Sequence, residues 1–304
     1  MDATRHVGLD LGVTNLKWAV VERADDWRVL DKGQVPTCAG EGALAVVQRM
    51  AATAASAIER WPGVVAVGVG VPGLYEPATG RTRFIINMPE PDEWVGLPVA
   101  EPMARQLGLP VFLINDARAF GLAELRFGAA RGAESMIGFT LGTGVGGVVA
   151  VNGHVRQGHD GTAGELGHQT IDPDGPWCAC GNRGCVEAYV RADQIAAACG
   201  TDTAEEAVAA AQAGDEQALS GLREVGRYLG IAVASAITVI TPDKVVIGGG
   251  VAAAGELLLG PVRDELRRRV RVTSLEAVEL VTAELGTLAG AIGAAVHGAE
   301  RTGG

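Results

Sequence analysis

Val7-Gly-Leu-Asp-Leu-Gly-Val-Thr14 and Ile137-Gly-Phe-Thr-Leu-Gly-Thr-Gly144 decide how this chain is read. Each is an apolar run that breaks at a glycine-containing turn, and each is followed by a second apolar run and a polar turn. In the first copy His6 to Leu11 and Lys17 to Glu22 read as a β-hairpin, with a third strand near Val29 to Val35. The echo predicts two similar half-molecules. Between the copies strands and helices alternate. Leu44, Val47, Met50, Ala51, Ala54 and Ile58 recur at helical spacing within Glu41 to Arg60, Trp61-Pro62-Gly63 stops that helix, and Val64 to Val71 forms a buried strand leading into Pro72-Gly73. Arg81 to Trp94 reads as turn-rich, Leu97 to Leu107 as helix, Val111 to Ile114 as a short strand and Ala117 to Phe127 as helix. Beyond the second copy, Ala192 to Leu229 reads as mainly helical, Val233 to Ile240 stays apolar, and Lys244 to Ile247 is a buried strand ending in Gly248-Gly-Gly250. Helices near Gly255 to Arg269 and Leu288 to Glu300 flank a last strand near Val278 to Thr282. This alternation indicates an α/β chain of βαβ units, with a largely parallel sheet whose strand ends line a ligand crevice.

At 304 residues the chain exceeds the usual size of one hydrophobic core, so two domains are expected. The boundaries fall at 1–115 plus a C-terminal helix 288–304 for a smaller domain, and at 116–287 for a larger one carrying a cysteine cluster. The net charge of −11 argues against nucleic acid as a partner, because binding to a phosphate backbone requires clustered positive charge. The start lacks a basic region followed by an apolar one, and no run reaches the roughly 18 apolar residues of a membrane span. A cytoplasmic protein with no membrane partner is expected. Of the five cysteines, Cys178, Cys180 and Cys185 cluster in a way that suits a local metal clamp better than a secreted disulfide framework. Cys38 and Cys199 read as ordinary thiols.

Phosphoryl transfer needs backbone N–H groups that approach a polyphosphate closely and a carboxylate that helps place Mg²⁺. Asp10, Gly12 and Thr14, with Asn15 beside them, fit a first such loop. Gly142, Thr143 and Gly144, followed by Gly146-Gly147, fit a second, where missing Cβ atoms let amide donors form a concavity for an anion. A glycine-rich hairpin turn is also an ordinary structural device; it is the pair, at strand ends of two repeated halves, that points to phosphate. The two loops resemble those of the superfamily of acetate kinase, sugar kinases, heat-shock proteins and actin. That resemblance implies a nucleotide held between two ribonuclease-H-like domains with a central cleft, and Gly248-Gly249-Gly250 resembles its adenosine-binding segment. Val13 departs from the two successive glycines often found there and must keep a backbone that a β-branched residue tolerates.

Asp116 follows Val111-Phe-Leu-Ile-Asn115 and precedes a helix. It can serve as an N-cap or, at the edge of a cleft, as the carboxylate that takes a proton from a hydroxyl nucleophile. Asn115-Asp116 resembles the catalytic pair of sugar kinases, which implies Asp116 as general base and Asn115 as a sugar ligand.

Glu165-Leu-Gly-His168, followed by Cys178-Ala-Cys180-Gly-Asn-Arg-Gly-Cys185-Val-Glu187, is the most specific stretch. One imidazole and three thiolates make a closed tetrahedral Zn²⁺ site of the structural kind, and Gly181 and Gly184 let the loop turn around it. A local disulfide would leave an odd cysteine and no role for His168. Carboxylates such as Glu165 and Glu187 suit a polyhydroxylated ligand, whose hydroxyls donate in excess; the bland alternative is that both are solvated. The segment from Gly164 to Glu187 resembles the signature of the ROK family of repressors, open reading frames and kinases. The resemblance implies that Glu165, His168 and Glu187 contact sugar hydroxyls, while His168, Cys178, Cys180 and Cys185 hold zinc. Asn87 lies where the family's substrate loop runs and Gly73 resembles a backbone contact to the sugar; each is as readily a plain turn.

The expectation is an ATP-dependent, glucokinase-like kinase using Mg²⁺, with structural zinc and Asp116 activating the 6-hydroxyl of glucose. Another hexose, an N-acetylhexosamine or a sugar-like cyclitol is the alternative substrate, and polyphosphate the alternative donor. Family resemblance suggests a homo-oligomer, dimer or tetramer. A sugar-responsive regulator or a silent sugar-binding protein is the alternative of another class. The regulator is disfavoured because only nine residues precede Asp10, too few for a helix-turn-helix.

Overall fold

The computed structural model describes residues 3–85 and 87–303. In chain order its first elements are β1 (Thr4–Leu11), β2 (Asn15–Arg23), β3 (Trp27–Pro36), α1 (Ala43–Arg60), β4 (Val64–Val71), β5 (Gly73–Glu76), β6 (Arg81–Ile85), α2 (Ala100–Leu107), β7 (Val111–Asn115) and α3 (Asp116–Phe127). They continue with β8 (Ser135–Leu141), β9 (Val145–Val151), β10 (His154–Val155), α4 (Glu187–Val190), α5 (Ala192–Cys199), α6 (Ala204–Gln212), α7 (Glu216–Ile240), β11 (Lys244–Gly249), α8 (Glu256–Arg269), β12 (Glu279–Thr282) and α9 (Ala289–Thr302). Two compact units result. One holds the residues up to Phe127, Gln157–Ala163 and those from Thr287 onward; the other holds Gly128–Arg156 and Gly164–Gly286.

Each unit is built on the same sheet. The strand order is β3-β2-β1-β4-β7 in the first unit and β10-β9-β8-β11-β12 in the second. In both, the first three strands in sequence pair antiparallel, and the next two add parallel to the first strand on its other side. The repeat seen in the sequence is therefore a repeat of topology. The hairpins end one residue apart in register: Leu11 faces Leu16 at the end of the first, and Leu141 faces Val145 at the end of the second. The first hairpin is closed by four residues, 12–15, and the second by three, 142–144.

In the first unit, helix α9 lies against the sheet and against α3. Contact this close is possible only because the facing residues are glycine. A Cβ on Gly8 would stand 1.9 Å from the Ala291 carbonyl oxygen, one on Gly68 1.8 Å from that of Ala294, and one on Gly293 1.7 Å from that of Ala119. Glycines in mid-strand, which weaken a strand in isolation, here admit a helix backbone. The rest of this core is aliphatic, from Val7, Leu9 and Leu11 through Met50, Val67 and Val69 to Met103. In the second unit Ile137, Phe139, Val245 and Ile247 pack under Leu229, Val233 and Ile237 of α7 and Leu258 and Val262 of α8.

Two stretches differ from the sequence expectation. Arg81 to Trp94, expected as turns, begins with strand β6, which pairs with β5 through Gly73↔Ile85 and Glu76↔Arg81. The signal was missing because Arg81-Thr-Arg-Phe-Ile has no clean alternation: Thr82 is buried and Phe84 is half exposed. Val233 to Ile240, which the sequence marked only as apolar, is the end of α7, which begins where the Asp215 side chain caps it by accepting from the Ala218 amide at 2.8 Å.

Candidate active site

The first glycine turn is held by residues outside it. Thr37, fully buried at the end of β3, donates its hydroxyl to the Gly12 carbonyl at 2.6 Å and its amide to the Thr14 carbonyl at 2.9 Å. Gly12 donates its own amide to the Asn15 carbonyl at 3.2 Å. Val13 is absent from the positive-φ residues, so the β-branched side chain is accommodated without left-handed backbone. Asp10 sits at the end of β1 with its carboxylate 3.8 Å from Lys17 Nζ and its side chain only 15% exposed. Burial raises its pKa above the ordinary carboxylate value, and the Lys17 ammonium partly opposes that. The start of α9 packs against it: a Cβ on Gly290 would meet the Asp10 Cγ at 2.5 Å.

In the same unit β7 delivers Asn115 and Asp116. Asn115 is buried and uses its side chain twice. Its Oδ1 accepts from the amides of Ala117 and Arg118 at 3.1 and 3.2 Å, and its Nδ2 donates to the Gly73 carbonyl at 3.1 Å. Asn115 is thus the residue that caps α3. Asp116, partly exposed in the first turn of α3, has one oxygen 2.8 Å from the Ala117 amide. Gly73 takes φ 110°, a conformation glycine adopts without penalty, and a Cβ there would meet the Phe84 carbonyl at 2.3 Å. Asn87 also takes a positive φ, 62°, which asparagine tolerates better than most residues. The first unit therefore brings Gly73, Asn115 and Asp116 together around one strand end. Asp10 lies on β1, which is separated from β7 in the sheet by β4.

The second unit assembles the remaining residues around its own turn. Gly142 donates to the Gly144 carbonyl at 3.0 Å and accepts from the Ala192 amide at 2.8 Å. Gly249 ends β11 beside it, with Leu141 as register partner, φ 89° and room for no side chain, since a Cβ would stand 2.0 Å from the Leu141 carbonyl. Gly249 and Gly250 thus share a sheet end with Gly142, Thr143 and Gly144. The turn Glu165–His168 packs on the start of β9 through two further glycines: a Cβ on Gly147 would be 2.2 Å from the Gly164 carbonyl, and one on Gly167 2.0 Å from that of Val145.

The four expected metal ligands converge. The donor atoms of His168, Cys178, Cys180 and Cys185 all lie within 4.8 Å of one another. Cys180 and Cys185 have their sulfurs 3.7 Å apart, and His168 Nδ1 is 3.7 Å from Cys178 Sγ. Zn–S bonds of about 2.3 Å at the tetrahedral angle place sulfurs roughly 3.8 Å apart, so the donor set fits zinc, whereas all five cysteines are free of disulfides. Nδ1 is the nitrogen turned to the thiols. Burial, with the Glu187 carboxylate adding to it, pushes the Cys178 thiol up to about 12. Glu187, the first residue of α4, is 3.4 Å from the Cys178 sulfur through Oε1, while its Oε2 accepts the Val145 amide at 2.8 Å. Gly184 is forced by its surroundings, because a Cβ would lie 1.5 Å from the Asp172 carbonyl.

Thr37, Ala192 and Gly290, which shape the two turns and the place of Asp10, carry no sequence motif; their roles come from long-range contacts. The ROK family profile matches residues 6–299. A glucokinase of Thermotoga maritima is 36% identical over 325 aligned positions that cover 100% of both chains. The ROK hexokinase of Thermus thermophilus superposes with a TM-score of 0.85 at 37% identity, over 99% of each chain. A ROK glucokinase of Streptomyces griseus, solved in complex with glucose and AMPPNP, superposes with a TM-score of 0.81 at 31% identity, over 97% of this chain and 99% of that one.

Proposed function

The chain belongs to the ROK family, and from that premise we propose that it transfers the γ-phosphoryl group of ATP to the 6-hydroxyl of glucose. The observation that carries the phosphotransfer reading is the pair of glycine turns, each joining the first two strands of a sheet, in two sheets of the same strand order. Amides of Gly12 to Asn15 and of Gly142 to Gly144 suit the phosphates, Gly249 and Gly250 the adenosine, and Asp10 the magnesium. Mg²⁺, when bound, offsets phosphate charge. Asp116 accepts the proton of the attacking hydroxyl. It suits that role because Asn115 does the capping that the sequence allowed for Asp116.

Glu165, His168 and Glu187 accept or donate to the sugar, with Asn87, Gly73 and Asn115 completing the set. Asn115 has spent its oxygen on α3 and one amide hydrogen on Gly73, which leaves its second amide hydrogen for a sugar oxygen. Zinc on His168, Cys178, Cys180 and Cys185 supplies rigidity to the loop. With Nδ1 turned to the metal, Nε2 of His168 is the atom left for a hydroxyl.

ADP release coupled to a reporter reaction tests the reading, with glucose, mannose, N-acetylglucosamine and a cyclitol as acceptors and polyphosphate as a second donor. Glucose with ATP is expected to give the highest kcat/KM. Asp116→Asn is expected to lower kcat by about 10²- to 10⁴-fold with nucleotide affinity retained; more than about a tenth of the wild-type rate would remove Asp116 from the role of base.

A further inference from the structure

Glu187 touches two things at once. Its Oε1 faces the cysteine cluster and its Oε2 takes the amide of Val145, the first residue after the glycine turn 142–144. The amide of Val145 is therefore held from outside the β8–β9 ladder. The other end of the same turn is tied to the same stretch of chain, since the Gly142 carbonyl accepts from the Ala192 amide at 2.8 Å. Between these ties run only α4 and Arg191, and the Arg191 amide closes back on the Glu187 carbonyl at 3.2 Å. Cys185 lies two residues before Glu187. Gly144 fits this arrangement: a Cβ there would come within 2.8 Å of Glu187 Oε2.

We propose that Glu187 is a strut between the cysteine-histidine loop and the second glycine turn, and so a positioning residue for the nucleotide as well as a contact to the sugar. The proposal rests on the reading of residues 142–144 as a phosphate turn. Amide donors bind an anion well only when their directions are fixed beforehand. A hydrogen bond from a backbone amide to a carboxylate is among the stronger neutral-to-charged contacts, and its loss frees the turn at one end. The order of the cysteine loop is thereby transmitted to the nucleotide through a single side chain.

Reach and charge separate this role from others. Glu187→Gln keeps a carbonyl oxygen at the right distance for the Val145 amide but removes the charge. Glu187→Asp keeps the charge but is one methylene too short. Glu187→Ala loses both. The measurements are ADP affinity by calorimetry without sugar, and hydrogen exchange of the Val145 amide by NMR.

The strut predicts that Glu187→Ala and Glu187→Asp weaken ADP binding about tenfold and speed Val145 exchange by at least that factor, while Glu187→Gln restores both and still raises the sugar KM. Wild-type ADP affinity and Val145 exchange in Glu187→Asp would overturn the proposal, and that variant decides the matter should Glu187→Ala fail to fold. If the wild-type chain itself binds no ADP, the phosphate reading of the turn fails instead, and Val145 exchange alone still decides whether Glu187 holds the turn.

Discussion

Asp10 shows how one side chain can be set against the stability of its own fold. Its carboxylate is largely buried and only partly compensated by Lys17, so its pKa in the folded protein stands above the ordinary value of 3.8. The sign follows from linkage. The unfolded chain ionises more readily than the folded one, so the charge opposes folding; the penalty is complete above the folded pKa and vanishes as pH falls below the unfolded one. Asp10→Asn is therefore expected to raise Tm at pH 7.5 in the absence of Mg²⁺ and nucleotide, with the gain shrinking toward pH 4, while phosphotransfer is lost. A lower Tm at pH 7.5 would mean that the Lys17 contact outweighs burial. The sequence offered Asp116 as the cap of α3 or as a base, and the distances give the cap to its neighbour Asn115.

At the scale of elements, helix α9 is the piece on which the first unit depends. It reaches the sheet through Gly8 and Gly68 and reaches α3 through Gly293. Interiors are packed too densely to absorb a methyl group that would stand less than 2 Å from a carbonyl oxygen. Gly293→Val is expected to destabilise the protein by more than about 3 kcal/mol, read as loss of the folded baseline in urea melts. A half-buried glycine with open space beside it, Gly260, whose Cβ would meet nothing within 4 Å, is the control: Gly260→Ala in α8 is expected to be neutral or to stabilise by about 1 kcal/mol. Helix α9 was legible as a helix from its composition, but its place between sheet and α3 was not. Hairpin β5–β6 was not legible at all, because its residues alternate too poorly to announce a strand.

For the whole molecule, the repeated sheet gives two units of one topology with different additions. The second carries the cysteine loop, where the donor atoms of His168, Cys178, Cys180 and Cys185 meet within 4.8 Å. Freshly purified protein is expected to hold about one zinc per chain by metal analysis, and Cys185→Ser is expected to abolish it and lower Tm, since metal binding to the folded state is folding free energy. Less than half an equivalent in the wild type would count against the site. No helix among the described residues is long and apolar enough to cross a membrane.

The sequence by itself determined the repeat, the two glycine turns, the carboxylates at the ends of β1 and β7, and the clustering of Cys178, Cys180 and Cys185. These are local facts: a hydrophobic period, a turn residue and a short spacing are all written within a few positions. Only the tertiary structure decided that Asn115 caps α3, that Thr37 and Ala192 hold the two turns, that Gly290 brings α9 against Asp10, and that Glu187 reaches the Val145 amide. Each of those is a contact between residues distant or unpatterned in the chain. Their partners are chosen by backbones that meet at glycines, and no periodicity of the sequence records where two backbones meet.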